Sequence, residues 1–240
     1  MRLLAVMGSL LALAVAMSGA AGAAADEKPA ADGEPSAVEL VFERDHLKNL
    51  ETGKTIVYNF ERAPSDPKLL GEGFTDTITL NSGKARENGG HDVDLQIYTG
   101  ERARDLQKLP ARLKNPVFLV YFSQSVNTFR MLAGGQAPYL KKAFSDAFRD
   151  KAKVEQIKIE YNGKQIDAYR ISMLPYKDDP AEVKMQGWEG AEYTVVLSDE
   201  VPGDVVDLVA RYKNKYPGGL QLVERITLDG VSGLEEIEVK

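Results

Sequence analysis

The sequence VEQIKIEYNGKQIDAYRI, from Val154 to Ile171, is the stretch that decides the fold. Asn162 and Gly163 separate two runs in which apolar and polar residues alternate, the strongest short-range signal for a β-hairpin with a two-residue turn. Both turn residues must take positive φ, which Gly adopts freely and Asn better than most residues. The stretch therefore predicts two antiparallel strands joined at Asn162–Gly163.

Counting outward from this turn gives the register of the hairpin. The apolar pairs, expected on one face, are Ile159–Ile166, Ile157–Ala168 and Val154–Ile171. The polar pairs, expected on the other face, are Lys158–Asp167, Glu155–Arg170 and Glu160–Gln165. Because a slip of one residue would mix the two sets, pattern and turn predict the same register. We expect a scaffold with one buried and one solvated face.

Further alternating stretches predict strands on both sides of the hairpin. They cover Lys54–Arg62, Phe74–Leu80, His91–Tyr98, Tyr193–Ser198, Val205–Lys213 and Leu220–Leu228. A shorter pattern at Val38–Phe42 favours a first strand, and the wholly apolar VFLVYF, Val117–Phe122, predicts a strand covered on both faces. The segments 63–73 and 175–190 predict long loops, and 101–114 stays unassigned.

Two short helices are predicted before the hairpin, because the apolar period there changes from two to 3.6. Ser123 or Ser125 can cap the first, and Gly134 can end it. Pro138 is well placed to begin the second, whose Phe144 and Phe148 belong to an apolar stripe. We expect this stripe to pack against the Ile157, Ile159 and Ile166 face of the hairpin. The order strands, helices, strands predicts an α+β fold: a mainly antiparallel curved sheet with two short helices inserted mid-chain, as one domain over 38–240.

The N-terminus predicts export. Residues 1–25 have a basic start, an apolar run and an Ala-rich end, typical of a cleavable signal peptide, with an uncleaved anchor as the alternative. Residues 26–37 are polar and predict a disordered leader. The chain has no Cys, which excludes disulfides and thiolate chemistry. We expect a periplasmic or secreted protein that is not integral to the membrane after cleavage.

Charge and motifs exclude several functions. Without residues 1–25 the chain has 29 basic and 36 acidic residues, a net charge of −7, which argues against nucleic-acid partners. Thr52-Gly53-Lys54-Thr55 lacks the glycine-rich lead-in and the following helix of a phosphate-binding loop. His46 and His91 are the only histidines, and no metalloprotease or hydrolase motif is present. We predict no catalytic residue, no metal site, no cofactor and no enzymatic activity.

Two residues, Asp76 and Trp188, have side chains that are unusual for their positions in the sequence. Asp76 shares a strand face with Phe74 and Ile78, so it should be paired, protonated, at a strand end, or facing a cavity. Trp188 lies between Gly187 and Gly190, where it could form an aromatic rim for a ligand or pack as a lid on the core.

A family resemblance suggests what the sheet and helices could do. The export signal, the antiparallel meander, the covering helices and the strand VPGDVVDLVARY, Val201–Tyr212, resemble the lipoprotein-carrier-like periplasmic proteins. The resemblance implies an apolar half-barrel lidded by helices, and it transfers no functional residue. We expect a lipid or lipoprotein as partner, bound between sheet and helices, with a packed envelope interaction domain as the alternative. The candidate ligand-binding residues are Tyr58, Phe60, Phe74, Asp76, Phe144, Phe148 and Trp188.

Overall fold

The computed structural model describes residues 34–85, 91–109 and 114–239. From Pro35 onward the chain forms one compact unit. The predicted signal peptide, residues 1–25, and most of the predicted leader lie outside the described residues.

The described residues form ten strands and three α-helices. The strands are β1 Thr55–Pro64, β2 Phe74–Ala85, β3 His91–Ile97, β4 Gln107–Leu109, β5 Lys153–Tyr161, β6 Lys164–Met173, β7 Glu192–Leu197, β8 Val205–Lys213, β9 Gln221–Leu228 and β10 Val231–Ser232. The helices are α1 Pro67–Leu70, α2 Val117–Ala133 and α3 Ala137–Asp150. A π-helical turn, Glu39–Glu43, and two 3₁₀ turns, Gly100–Arg102 and Glu182–Met185, complete the set.

All ten strands belong to one antiparallel sheet that must curve strongly. Its order is β10-β5-β6-β7-β8-β9-β1-β2-β3-β4. In a flat sheet β10 would lie five positions, about 24 Å, from β9. However, only Asp229 and Gly230 connect the two strands, and a link of this length spans at most about 11 Å. The predicted α+β class with a curved, mainly antiparallel sheet is therefore confirmed.

The opening hairpin has the predicted register but not the predicted faces. Asn162 and Gly163 have φ of 49° and 77°, and every predicted pair is formed. Side chains alternate along a strand, however, so Val154–Ile171 shares a face with Lys158–Asp167, whereas Glu155–Arg170 shares a face with the Ile157 pair. The hairpin buries one face near its turn and the other face near its base.

The sheet has a helix face and an outer face, which we define by their contacts. On the helix face, the Tyr193 ring contacts Phe144 of α3 at 4.7 Å, and the Tyr212 hydroxyl donates to the Ser125 carbonyl of α2 at 3.3 Å. Tyr193 pairs with Met173, so the α3 stripe packs against the Met173 side of β6. The predicted packing of this stripe on the Ile157, Ile159 and Ile166 face was wrong, since Ile166 and its partner Ile159 point to the outer face.

Helix α2 is the main departure from the predicted elements. Val117–Phe122, predicted as a strand, is its first part, so one helix of 17 residues replaces a strand and a short helix. The Asn115 side chain accepts a hydrogen bond from the Val117 amide at 3.1 Å, which satisfies a free donor at the helix start. Gly134, with φ of 79°, ends the helix as predicted. A wholly apolar run is compatible with either element, and here burial against the sheet favours the helix.

The structure also differs from three smaller predictions. Val38–Phe42, predicted as a strand, lies in the π-helical region. The predicted loop 63–73 contains α1, whose start is capped by the Asp66 carboxylate. Strand β2 runs to Ala85, further than predicted. Helix α3, by contrast, has its predicted Pro near the start and its predicted buried Phe144 and Phe148.

Candidate functional site

The space between the sheet and the helices is where the sequence places a ligand. Tyr58 and Phe60 of β1 are 0% and 1% exposed there, and Phe144 and Phe148 of α3 are 4% and 2% exposed. The hollow that we find in this space has a volume of about 10 Å³, room for about one water molecule. Sites for drug-sized ligands have volumes of about 300 Å³ or more. Side chains thus fill this space.

Four of the predicted aromatic residues fall into two clusters. Phe60 and Phe74 lie 5.2 Å apart between ring centres, and Tyr98 joins them at 5.0 Å from Phe60. Phe144 and Phe148 instead contact Phe122 of α2, each at 5.6 Å. The structure therefore brings together Phe144 and Phe148, and separately Phe60 and Phe74. The Tyr58 hydroxyl instead accepts a hydrogen bond from the Asn115 side chain at 2.9 Å.

The N-terminal segment, Ala37–Leu50, covers the α3 cluster. Its Phe42 ring lies 5.0 Å from Phe148 and 6.0 Å from Phe122, and is 42% exposed. We call Phe42, Phe122, Phe144 and Phe148 the aromatic seam. It runs from the surface at Phe42 to Tyr193 on the sheet. Phe42 and Phe122 were missed in the sequence because both lie in runs that read as strands.

An ion pair holds the N-terminal segment to the β7–β8 connection. The Arg44 guanidinium contacts the Asp204 carboxylate at 2.9 Å and the Asp199 carboxylate at 2.8 Å. Asp204 is fully buried, and its burial raises the pKa of the carboxyl to about 6 although Arg44 opposes this. Lys114 adds a hydrogen bond to the Glu43 carbonyl at 2.7 Å. Polar contacts of Arg44 and of the Glu43 carbonyl thus fasten the segment to the rest of the chain.

His46 lies in the same segment and is fully buried. Its Nε2 shares a hydrogen bond of 2.7 Å with the Leu40 carbonyl, and its ring lies 5.0 Å from Phe118. Desolvation lowers the pKa of the imidazole to about 4, with Lys114 and Arg44 adding to the effect. His46 is therefore neutral at pH 7 and has a packing role.

A polar network lies beneath α2. Glu224 of β9 is 5% exposed and forms an ion pair with Arg62. Gln124 of α2 accepts a hydrogen bond from the Tyr98 hydroxyl at 3.2 Å and donates to Glu224 at 3.4 Å. Burial raises the pKa of Glu224, and Arg62 opposes this. The network was missed in the sequence because its members are separated by up to 162 residues.

Asp76 and Trp188 occupy different places. Asp76 is half-buried, and its Oδ1 accepts hydrogen bonds from the Thr77 amide at 2.8 Å and from the Thr99 amide and hydroxyl at 2.9 Å. Trp188 is 5% exposed in the core, as in the packing alternative. Within 34–85, 91–109 and 114–239, no group of three or more His, Cys, Asp or Glu residues could hold a metal ion. No helix in these ranges is long and apolar enough to cross a membrane.

A large cleft lies on the outer face, where the sequence predicted no site. The C-terminal segment, Val231–Glu236, forms one wall, and β1, β2 and β9 form the floor. The volume is about 580 Å³. We call it the outer cleft; it is lined by Asn59, Phe60, Glu61, Thr75, Asp76, Thr77, Arg225, Thr227 and Val231–Glu236.

Comparisons with known proteins add little to this geometry. No protein-family model matches the chain, and no curated protein matches it significantly. Among solved structures, the chain is similar to the lipoprotein LppX of Mycobacterium tuberculosis at 8% sequence identity and a TM-score of 0.31, over 84% of this chain and 96% of that chain. A TM-score of this size establishes no shared fold.

Proposed function

We propose that this protein is exported and non-enzymatic, and that it binds a lipophilic group along the aromatic seam. The group would be a lipid acyl chain or the acyl chain of a modified partner. Export is supported by the signal-like residues 1–25.

The observation that carries the proposal is the continuity of the seam from surface to sheet. Phe42 is accessible at one end, Phe122 and Phe148 follow, and Phe144 ends it against Tyr193. An acyl chain entering beside Phe42 would meet aromatic surface along its whole path. Release of water and dispersion contacts would favour such binding.

Binding would require the N-terminal segment to move, because the seam is filled in the ligand-free protein. Phe42 is the residue to be displaced, since it lies between solvent and Phe148. Its loss from the seam would leave space that an acyl chain can occupy. The Arg44–Asp204 contact limits this movement, so its strength should affect the apparent affinity.

A second candidate function is supported by the small hollow of about 10 Å³. On this alternative the core is complete without a ligand, and the protein is an envelope interaction domain that contacts a partner through its surface. The two candidates differ in whether any lipophilic molecule enters the seam.

One experiment separates them. The natively purified protein is extracted and analysed for lipids by mass spectrometry, and binding of a fluorescent fatty acid is then titrated. The first candidate predicts co-purified lipid and saturable binding. It also predicts that Phe42→Ala, which opens the seam, changes the affinity, whereas Phe74→Ala, in the other aromatic cluster, leaves it unchanged. A lipid-free protein whose thermal stability no fatty acid alters would support the interaction domain instead.

A further inference from the structure

We propose that the outer cleft is a binding site for a protonated amine, on the face of the sheet opposite the aromatic seam. This site is additional to the proposed function and does not depend on it. Three features of the cleft carry the inference: its size and shape, the state of its charged groups, and its hydrogen-bonding floor.

The cleft is built into the fold rather than left between loose surfaces. Its wall is fixed at one end where Val231 and Ser232 pair with β5. It is fixed again where the Arg225 Nη1 donates to the Glu235 carbonyl at 2.9 Å. Between these points the volume of about 580 Å³ lies in the range of about 300 to 1,000 Å³ found for ligand sites.

The charged groups exclude an anionic ligand. Among the described residues of the lining, Arg225 is the one basic residue, and its guanidinium is already engaged. Its Nε and Nη2 donate to the Asp207 carboxylate at 2.7 and 3.1 Å. Asp207 is 4% exposed, so this pair is buried and fixed. The described part of the lining therefore offers a negatively charged ligand no free cation.

The acidic groups of the cleft favour a cation. Glu61, on the floor, and Glu236, on the wall, are exposed and form no ion pair with any described residue. Asp76 borders the cleft only through its backbone: it pairs with Phe60 across β1 and β2, so its side chain points to the helix face, where Thr99 donates to its carboxylate. A positive group placed between the floor and the wall could donate hydrogen bonds to both carboxylates. Hydrogen bonds between two charged groups are stronger than those between neutral groups.

The floor supplies neutral acceptors for the remaining N–H groups. Cross-strand neighbours place Thr77, Asn59 and Thr227 in one row on the outer face, and Thr75 and Glu61 in the next. An alkylammonium group carries three donors, which hydroxyl and amide oxygens can accept. The ligand chemistry is therefore a primary amine, either a free diamine or polyamine or the lysine side chain of a peptide.

The test measures binding of both amine sources to the purified protein. Spermidine and cadaverine are titrated by calorimetry, with 1,5-pentanediol as the neutral analogue of cadaverine. A short blocked lysine peptide is titrated beside the same peptide with norleucine for lysine. Amide chemical shifts of Thr75, Thr77 and Thr227 report whether the ligand lies in the cleft. We expect amine binding with these shifts and none with the neutral analogues; the arm that binds more tightly identifies the source.

A variant pair decides whether the cleft carboxylates are responsible. The double variant Glu61→Gln, Glu236→Gln should weaken amine binding about tenfold or more, the loss expected for one charge-assisted hydrogen bond. The control is the double variant Glu51→Gln, Glu155→Gln, because it also removes two charges, at exposed pairs with Lys54 and Arg170 outside the cleft. Equal weakening in both variants would mean general attraction to an acidic protein and would overturn the proposal. So would the absence of binding by the unaltered protein, or shifts confined to residues outside the cleft.

Discussion

The two faces of the sheet differ in what they leave open. On the helix face, aromatic side chains fill the space down to a hollow of about 10 Å³. On the outer face, short polar side chains leave a cleft of about 580 Å³ below the C-terminal segment. The apolar face is the one that the sequence marks as a ligand site, yet it is the filled one.

The difference follows from the side chains that each face carries. Large rings on two facing elements interdigitate, since leaving a gap between them would lose dispersion contacts and expose apolar surface. Threonine and asparagine on a floor do not draw a covering segment inward, because they hydrogen-bond equally well to water. A run of aromatic residues is thus evidence of burial first, and of binding only when something can displace them.

The largest expected effect tests whether the helix face is filled. Phe148→Ala should lower the free energy of unfolding by about 3–5 kcal/mol, because it leaves a cavity in a packed core. Urea denaturation with an unchanged slope measures this. Phe42→Ala removes the same atoms at a site that is 42% exposed and should cost less than about 2 kcal/mol. A cost below about 1 kcal/mol for Phe148→Ala would show that the helix face has spare room.

The second effect concerns His46, which is packed inside the N-terminal segment and whose pKa falls from 6.5 to about 4 in the folded protein. Between these values the unfolded state binds more protons, so stability falls as pH falls, by about 3 kcal/mol in total. Asp204 acts in the opposite sense: its pKa rises from 3.8 to about 6, so stability rises as pH falls through that window. The two contributions oppose each other between pH 6 and 4.

Single substitutions separate these contributions. His46→Gln removes the destabilising protonation, so its stability relative to the unaltered protein should increase as the pH is lowered from 6.5 to 4. Asp204→Asn should show the reverse trend. Unfolding by urea at a series of pH values measures both, and parallel curves for His46→Gln and the unaltered protein would contradict the burial of a neutral imidazole.

How much the sequence predicts depends on how local the determinant is. The hairpin register follows from Asn162–Gly163 and its flanks, all within one stretch, and the structure has every predicted pair. Val117–Phe122 carries no period, so only its packing against the sheet decides that it is helical. The outer cleft depends on the approach of Val231–Glu236 to β1 and β2, more than 150 residues earlier, and no local pattern encodes that approach.

A third prediction concerns the hairpin turn, which helps to hold the wall of the open face. The Asn162 amide donates to the Gly230 carbonyl at 2.9 Å, just before β10 begins. Asn162→Ala should cost about 1 kcal/mol, since an ordinary residue is strained at the φ of 49° found there. Asn162→Gly, the control, relieves that strain and keeps the amide donor, so it should cost less. Equal unfolding free energies for the two variants would mean that the turn is not under this constraint.

The smallest effect on stability is expected at the wall of the outer cleft. It tests whether the C-terminal segment covers an open cleft or belongs to the packed core. Glu235 is 75% exposed at its side chain and pairs with Arg211 at 3.1 Å, so Glu235→Gln should change the free energy of unfolding by less than about 1 kcal/mol. The matched control is Glu155→Gln on β5, which removes an exposed pair with Arg170 of β6. Amide hydrogen exchange at Val231 and Ser232 should nevertheless be faster in Glu235→Gln and unchanged in Glu155→Gln, because the wall can open locally while the core stays folded. A loss of more than about 2 kcal/mol would instead mean that the C-terminal segment belongs to the core, since exposed pairs do not contribute that much.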